Sequence, residues 1–137
     1  MAKSPEFPQL PESQLSETQL EIMNLIWRAG EATVGDVWKA LAGRRKVARN
    51  TVLTLMERLE KKGWLRRRVD GHVYRYSAAV GREATLGKMV GRLVDVAFDG
   101  SADALMMALL DERGVTPTEA ERIRAMIDTA RRSKTKN

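Results

Sequence analysis

The chain has 137 residues, 43% of them hydrophobic, enough for one compact domain or a small domain with an appendage. It holds no cysteine, which excludes disulfides, thiolate metal sites and cysteine nucleophiles and fits a reducing compartment such as a bacterial cytoplasm. The net charge is +6; no apolar run approaches the ~20 residues that span a bilayer and the N-terminus lacks an apolar signal core, so a soluble protein without membrane insertion is expected.

Residues 1–14 carry Pro5, Pro8 and Pro11 and show no helical period, the pattern of a disordered arm. Order begins at Leu15. Ser16 and Gln19 form a capping box, and Leu15 and Leu20 are spaced as a hydrophobic staple. The first helix should run to about Ala29, burying Leu20, Met23, Ile26 and Trp27, with Gly30 as its stop. Thr33 can cap a second helix that carries Val34, Val37, Trp38 and Leu41 and ends at Gly43. Trp27 and Trp38, on apolar helix faces, read as core packing.

The loop "GRRKVA" leads into "RNTVLTLMERLEKKGWLRRR". On a helical wheel Val52, Leu55, Met56 and Leu59 make one stripe. Asn50, Thr54, Glu57 and Lys61 lie opposite, flanked by Thr51 and Arg58. After the stop at Gly63, "WLRRRVDGHVYRYS" reads as a hairpin about an Asp70-Gly71 turn. Tyr74 and Tyr76 share one face of it, and Val73 and Arg75 the other. Alternation requires one of Arg66, Arg67 and Arg68 to point inward or sideways, and leaves open which.

Charge concentrates here. Residues 44–75 hold eleven Lys/Arg against three acids (Glu57, Glu60, Asp70), a local excess of eight positive charges that suggests a polyanionic partner. Three helices followed by a hairpin is the order of a winged helix-turn-helix, so residues 15–80 are expected to form a DNA-binding domain. Its third helix would enter the major groove and its wing lie along backbone or minor groove. Asn50, Thr51 and Thr54 are the base-reading candidates: Asn can pair with adenine N6/N7, and a Thr methyl can meet the thymine methyl. Asn50 could instead cap the helix. Arg44, Arg45, Lys46, Arg49 and Arg58 suit phosphate, as do Arg66, Arg68 and Arg75 in the wing, with His72 at the hairpin tip against backbone or water.

Residues 81–131 read as a helical dimerisation region. The first helix there carries Leu86, Met89, Val90, Leu93, Val96 and Ala97 and breaks at Asp99-Gly100-Ser101. The second, Ala102 to Arg113, carries Leu105, Met106, Leu109 and Leu110 and stops at Gly114. Thr116-Pro117-Thr118-Glu119 is a capping box that opens a third helix through Ile123, Met126, Ile127 and Ala130. Some fifty residues cannot bury that much apolar face alone; they must pack on the head or on a second copy, and self-association is the favoured reading. Residues 132–137 read as a frayed tail. The overall expectation is a mostly α fold with a small β-hairpin.

The stretches "LSETQLEIMNLIW", "TVGDVWKAL", "NTVLTLMERLEKKGWL" and "VYRYSA", in this order and spacing, resemble the BlaI/MecI/CopY family of bacterial penicillinase repressors over residues 15–130. The resemblance implies a homodimer held by the C-terminal helices, a winged head on each half of a palindromic double-stranded operator, often with a TACA/TGTA core, and repression of promoters. Three departures stand out. The copper-responsive branch carries a C-terminal cysteine motif, and this chain has no cysteine. The antibiotic-responsive branch is cut by a membrane sensor protease at an Asn-Phe bond; Ala108-Leu109 occupies that place, which counts against the same cleavage. Ala48 and Arg49 stand where the family often has Ser and a basic or proline residue.

No nucleophile–base pair, phosphate-binding glycine loop or metal-ligand set is present, so an enzyme, a cofactor and a metal are not expected. Two other classes remain as alternatives: a ligand-gated winged-helix regulator of another type, and an adaptor whose basic wing binds an acidic protein.

Overall fold

The computed structural model describes the backbone of residues 15–136 and the side chains of residues 15–132. The expected arm, residues 1–14, lies outside the described residues. The elements in order are α1 (Glu17–Ala29), β1 (Glu31–Ala32), α2 (Val34–Ala42), α3 (Arg49–Lys61), β2 (Leu65–Asp70), β3 (Val73–Ala78), α4 (Arg82–Ala97), α5 (Ala102–Glu112) and α6 (Pro117–Lys136). The chain divides into two compact units, one up to Met89 and one from Val90 on, so the division falls inside α4.

Local signals set the helix ends of the first unit. Ser16 Oγ accepts from the Gln19 N–H at 3.1 Å while the Ser16 N–H donates to Gln19 Oε1 at 2.9 Å, closing a capping box at α1. Gly30 ends that helix at φ 86°, a conformation a Cβ disfavours. Thr33 caps α2 as expected and gains a reciprocal partner that the sequence reading did not name. The Asp36 N–H donates to Thr33 Oγ1 at 3.1 Å, and the Thr33 N–H to Asp36 Oδ2 at 3.0 Å.

The core joins Ile22, Met23 and Ile26 of α1 to Val37 and Leu41 of α2, Val52, Met56 and Leu59 of α3, and Leu65 and Tyr76 of the sheet. Each such side chain, fully buried, contributes about 1.5–3 kcal/mol. The α1 face differs from the expected one: Ile22 is wholly buried, whereas Leu20 and Trp27 are half-buried. The reason is that α1 packs against α2, α3 and β3 together, a wider arc than one stripe supplies. Trp27 and Trp38 act as pins as well as packing, their indole N–H groups donating to the carbonyls of Val80 and Val47, each at 3.0 Å.

The three strands form an antiparallel sheet in the order β1-β3-β2. Asp70 pairs with Val73, so the two-residue connection is Gly71-His72, one residue on from the expected Asp70-Gly71. Gly71, at φ 64°, takes the first loop position, where a type II′ turn needs a positive φ and so favours glycine. Strand β1 went unforeseen because two residues leave no alternation to read.

In the second unit, Asp99 and Gly100 break the chain after α4 with φ 51° and 82°, and Ser101 Oγ accepts from the Ala104 N–H at 3.1 Å to cap α5. Gly114 follows α5 at φ 71°. Thr116 and Glu119 close the expected box, at 3.1 and 3.0 Å, with Pro117 in the first helical position. The tail expected to fray from residue 132 is helical as far as Lys136, since no glycine or proline follows Pro117 to stop α6.

Candidate nucleic-acid interface

Helix α3 turns Val52, Met56 and Leu59 into the core, which leaves Arg49, Asn50, Thr51, Thr54, Glu57, Arg58 and Lys61 exposed. Its N-cap is Ala48, whose methyl group accepts nothing, so the first-turn N–H groups have no side-chain cap. Asn50 lies within the helix and does not cap it; the amide is exposed and available to a partner. The Thr54 hydroxyl donates back to the Asn50 carbonyl at 3.0 Å, leaving its oxygen lone pairs and its methyl for outside contact. An uncapped helix start beside Arg49, Lys46 and Arg44 is electropositive twice over, from the side chains and from the backbone dipole.

The preceding loop is not uniform. Arg44 and Lys46 are exposed and form no ion pair among the described residues. Arg45 is turned back onto α1, where its guanidinium donates to Thr18 Oγ1 at 3.0 Å and pairs with the Glu21 carboxylate, with Glu17 at 4.0 Å.

The strand register sorts the wing. Arg66, Arg68, Asp70, Val73, Arg75 and Ser77 share the outer face, next to Glu31 of β1, while Leu65, Arg67, Val69, Tyr74, Tyr76 and Ala78 share the inner one. The inward arginine is therefore Arg67. Its guanidinium carbon stands 4.2 Å from the Tyr74 ring centroid, and its Nε lies 3.2 Å from Glu60 Oε2. On the outer face Arg68 donates twice to Glu31, at 2.8 and 2.9 Å, and Arg75 donates to Asp70 at 2.5 Å. These hydrogen bonds hold the Glu31 and Asp70 carboxyls below their ordinary values and raise both guanidiniums. Arg66 has no carboxylate partner among the described residues; its Nη2 reaches the Ala79 carbonyl at 3.5 Å. His72 is exposed in the Gly71-His72 connection.

Below the wing, the Tyr76 hydroxyl is buried without a hydrogen-bond partner among the described residues. Burial pushes its phenol up, with the neighbouring Arg67 guanidinium opposing.

Every cation named from the sequence thus lies in the first unit and is at least partly exposed, but they are not equivalent. Arg44, Lys46, Arg49, Arg58 and Arg66 are free of carboxylates among the described residues, whereas Arg45, Arg68 and Arg75 are held by one. Sequence reasoning missed the carboxylate partners and the role of Arg67. A signal for the latter existed: any connection of two residues at Gly71 puts Arg67 on the tyrosine face. No group of three His, Cys, Asp or Glu side chains that could hold a metal occurs among the described residues, and no helix among them is long and apolar enough to cross a membrane.

The second unit leaves much apolar surface open. Val90, Leu93, Val96, Leu109, Met126 and Ile127 are exposed, and Leu105, Met106 and Ile123 are half-buried; on the part of α4 that belongs to the first unit, Met89 is exposed and Leu86 half-buried. Ala108 is exposed on α5 next to Leu109.

Three helices closed by a hairpin wing, with a polar row on the third helix and unpaired cations at its start, define a winged-helix DNA-binding protein. The family model described as "Penicillinase repressor" matches residues 15–129, and the chain belongs to that family: it is a DNA-binding transcriptional repressor. Among its relatives, the transcriptional regulator BlaI of Mycobacterium tuberculosis is 31% identical over 112 residues, 80% of this chain and 81% of that one. The methicillin resistance regulatory protein MecI of Mammaliicoccus sciuri is 23% identical over 115 residues, 84% of this chain and 94% of its own length. The crystal structure of apo wild-type MarR from E. coli superposes with a TM-score of 0.51 at 17% identity, over 85% of this chain and 77% of that one, a likeness of fold alone.

Proposed function

We propose that this repressor binds a palindromic operator as a homodimer in the cytoplasm, with α3 of each protomer in the major groove and the wing on backbone or minor groove. The observation that carries this reading is the exposed row Asn50, Thr51, Thr54 on a helix whose start is uncapped and flanked by the unpaired cations Arg44, Lys46 and Arg49. The amide and the threonine methyl groups read base edges, and the cations neutralise phosphate. The exposed apolar residues of α4, α5 and α6 are covered by the second copy. Release by a membrane sensor protease would require a cut at Ala108-Leu109, where a helical backbone must first open.

The test is binding of the purified chain to its own upstream promoter DNA and to scrambled DNA at about 150 mM salt, where exposed charges are screened beyond ~8 Å. Preference for the promoter, centred on a dyad, is expected. Equal, salt-labile binding to both would overturn the reading and favour the acidic-partner adaptor.

A further inference from the structure

The wing has an inner arginine that the interface just described does not use. Arg67 is the point at which three elements meet: its own strand β2, Tyr74 on β3 under the guanidinium at 4.2 Å, and Glu60 in the last turn of α3 at 3.2 Å. The core ends at this level of the hairpin. Leu65 and Tyr76 are buried, but the next inner pair toward the tip, Val69 opposite Tyr74, is exposed at 69% and 47%. Beyond Tyr76, therefore, no packed layer holds the wing at a set angle to α3. The Arg67 guanidinium spans that gap, its charge already answered by Glu60 and its face by the Tyr74 ring, which leaves it poorly suited to take a phosphate.

We infer that Arg67 is a positioning residue for DNA recognition: with Glu60 and Tyr74 it sets the angle between the reading helix and the wing, so that both engage one half-site together. This rests on the proposed interface, and it differs from a phosphate contact in a way that can be measured. A cation that touches phosphate lowers the salt slope by about one when removed. A positioning residue lowers affinity and leaves the slope alone.

Glu60 gives the sharper discrimination because the two accounts predict opposite signs. Removing a carboxylate from a DNA-binding face should by charge alone tighten binding, and would release Arg67 toward phosphate. If the tie matters, Glu60→Gln weakens binding instead.

The experiment compares wild type, Arg67→Gln, Arg67→Lys and Glu60→Gln on promoter DNA over a salt series. Hydroxyl-radical footprints and amide hydrogen exchange of the wing are followed in parallel. Expected are losses of roughly threefold to tenfold in affinity for Arg67→Gln and Glu60→Gln, the scale of one stacked, paired cation. The salt slope should stay unchanged, protection should fade where the wing lies while the α3 footprint persists, and amides around Val69–Val73 should exchange faster. Arg67→Lys, which keeps the charge and loses the planar stack, should fall between. A slope lowered by about one in Arg67→Gln, with tighter binding in Glu60→Gln, would overturn the inference in favour of a direct phosphate contact. Unchanged wing exchange in both variants would also overturn it, and that readout needs no DNA. Failure of wild type to prefer its promoter, in contrast, would bring down the proposed interface and leave the exchange result to decide the tie.

Discussion

Arg68 is bound to Glu31 through two hydrogen bonds, 2.8 and 2.9 Å long, across 37 residues of sequence. An arginine assigned to phosphate from the sequence is thus already paired with a carboxylate before DNA arrives. Whether it contributes to binding depends on whether phosphate can displace the carboxylate. Glu31→Gln frees the guanidinium, and operator affinity should rise with a salt slope steeper by up to about one. Titration of the promoter from low to high salt checks this, and an unchanged slope means that Arg68 stays away from phosphate. The pH dependence has a definite sign. Arg68 holds the Glu31 carboxyl below its ordinary value, so the pair adds stability above the unfolded pKa and loses it as pH falls through the lowered one.

Thr54→Ala removes a methyl and a hydroxyl from the exposed face of α3 without touching the core. Operator binding should weaken by about 1 kcal/mol, roughly fivefold, and preference at one base position should relax. Arg49→Ala should weaken binding to all sequences alike and reduce the salt slope by about one. Competition assays with single-base operator variants separate the two. Equal loss on every sequence for Thr54→Ala would show that it reads nothing.

Thr33→Ala deletes the side-chain half of the α2 capping box. Unfolding free energy should drop by about 1 kcal/mol, measured by urea denaturation. Hydrogen bonds from the Thr33 backbone and hydroxyl hold the Asp36 carboxyl below its ordinary value. Its contribution is therefore present above the unfolded pKa and disappears as pH falls through the lowered one. Asp36→Asn should flatten that acid limb.

Tyr76→Phe removes a buried hydroxyl that has no hydrogen-bond partner among the described residues. Losing an unsatisfied polar group while keeping the ring should leave stability unchanged or raise it by up to about 1 kcal/mol. A shift of the urea midpoint to lower concentration would reveal a hydrogen bond that forms in solution, with Arg67 the nearest candidate.

Val96→Glu places a charge on the open face of α4, where the valine is 73% exposed. If the second copy covers that face, sedimentation should show dimer affinity reduced by more than about tenfold while hydrogen exchange in the core around Met56 stays as in wild type. Operator affinity should fall in step. A fully dimeric variant would move the interface off this part of α4.

Much of the fold was legible in the chain because its punctuation acts over three or four residues. Ser16 with Gln19, Thr116 with Glu119, and the stops at Gly30 and Gly114 are pairs and singles that work wherever they stand, and each lies where the pattern put it. The α3 stripe of Val52, Leu55, Met56 and Leu59 was equally plain, since it follows from one period, although Leu55 is only half-buried at its edge. The Gly71-His72 register, the Ile22 burial and the short β1 were not. The first turns on a φ preference at a single glycine, the second on how many elements surround α1, and the third on pairing with a strand far along the chain.

By itself the sequence determined the order of helices and hairpin, the polar row on α3 and the concentration of positive charge at residues 44–75. These are local or additive properties. Only the tertiary structure decided which of those charges are available. Arg45 meets Glu21 across 24 residues and Arg68 meets Glu31 across 37, while Arg67 turns inward onto Tyr74 and Glu60. Ion pairs depend on distances of a few ångströms between atoms that the chain brings together only on folding, and no count of lysines and arginines contains them.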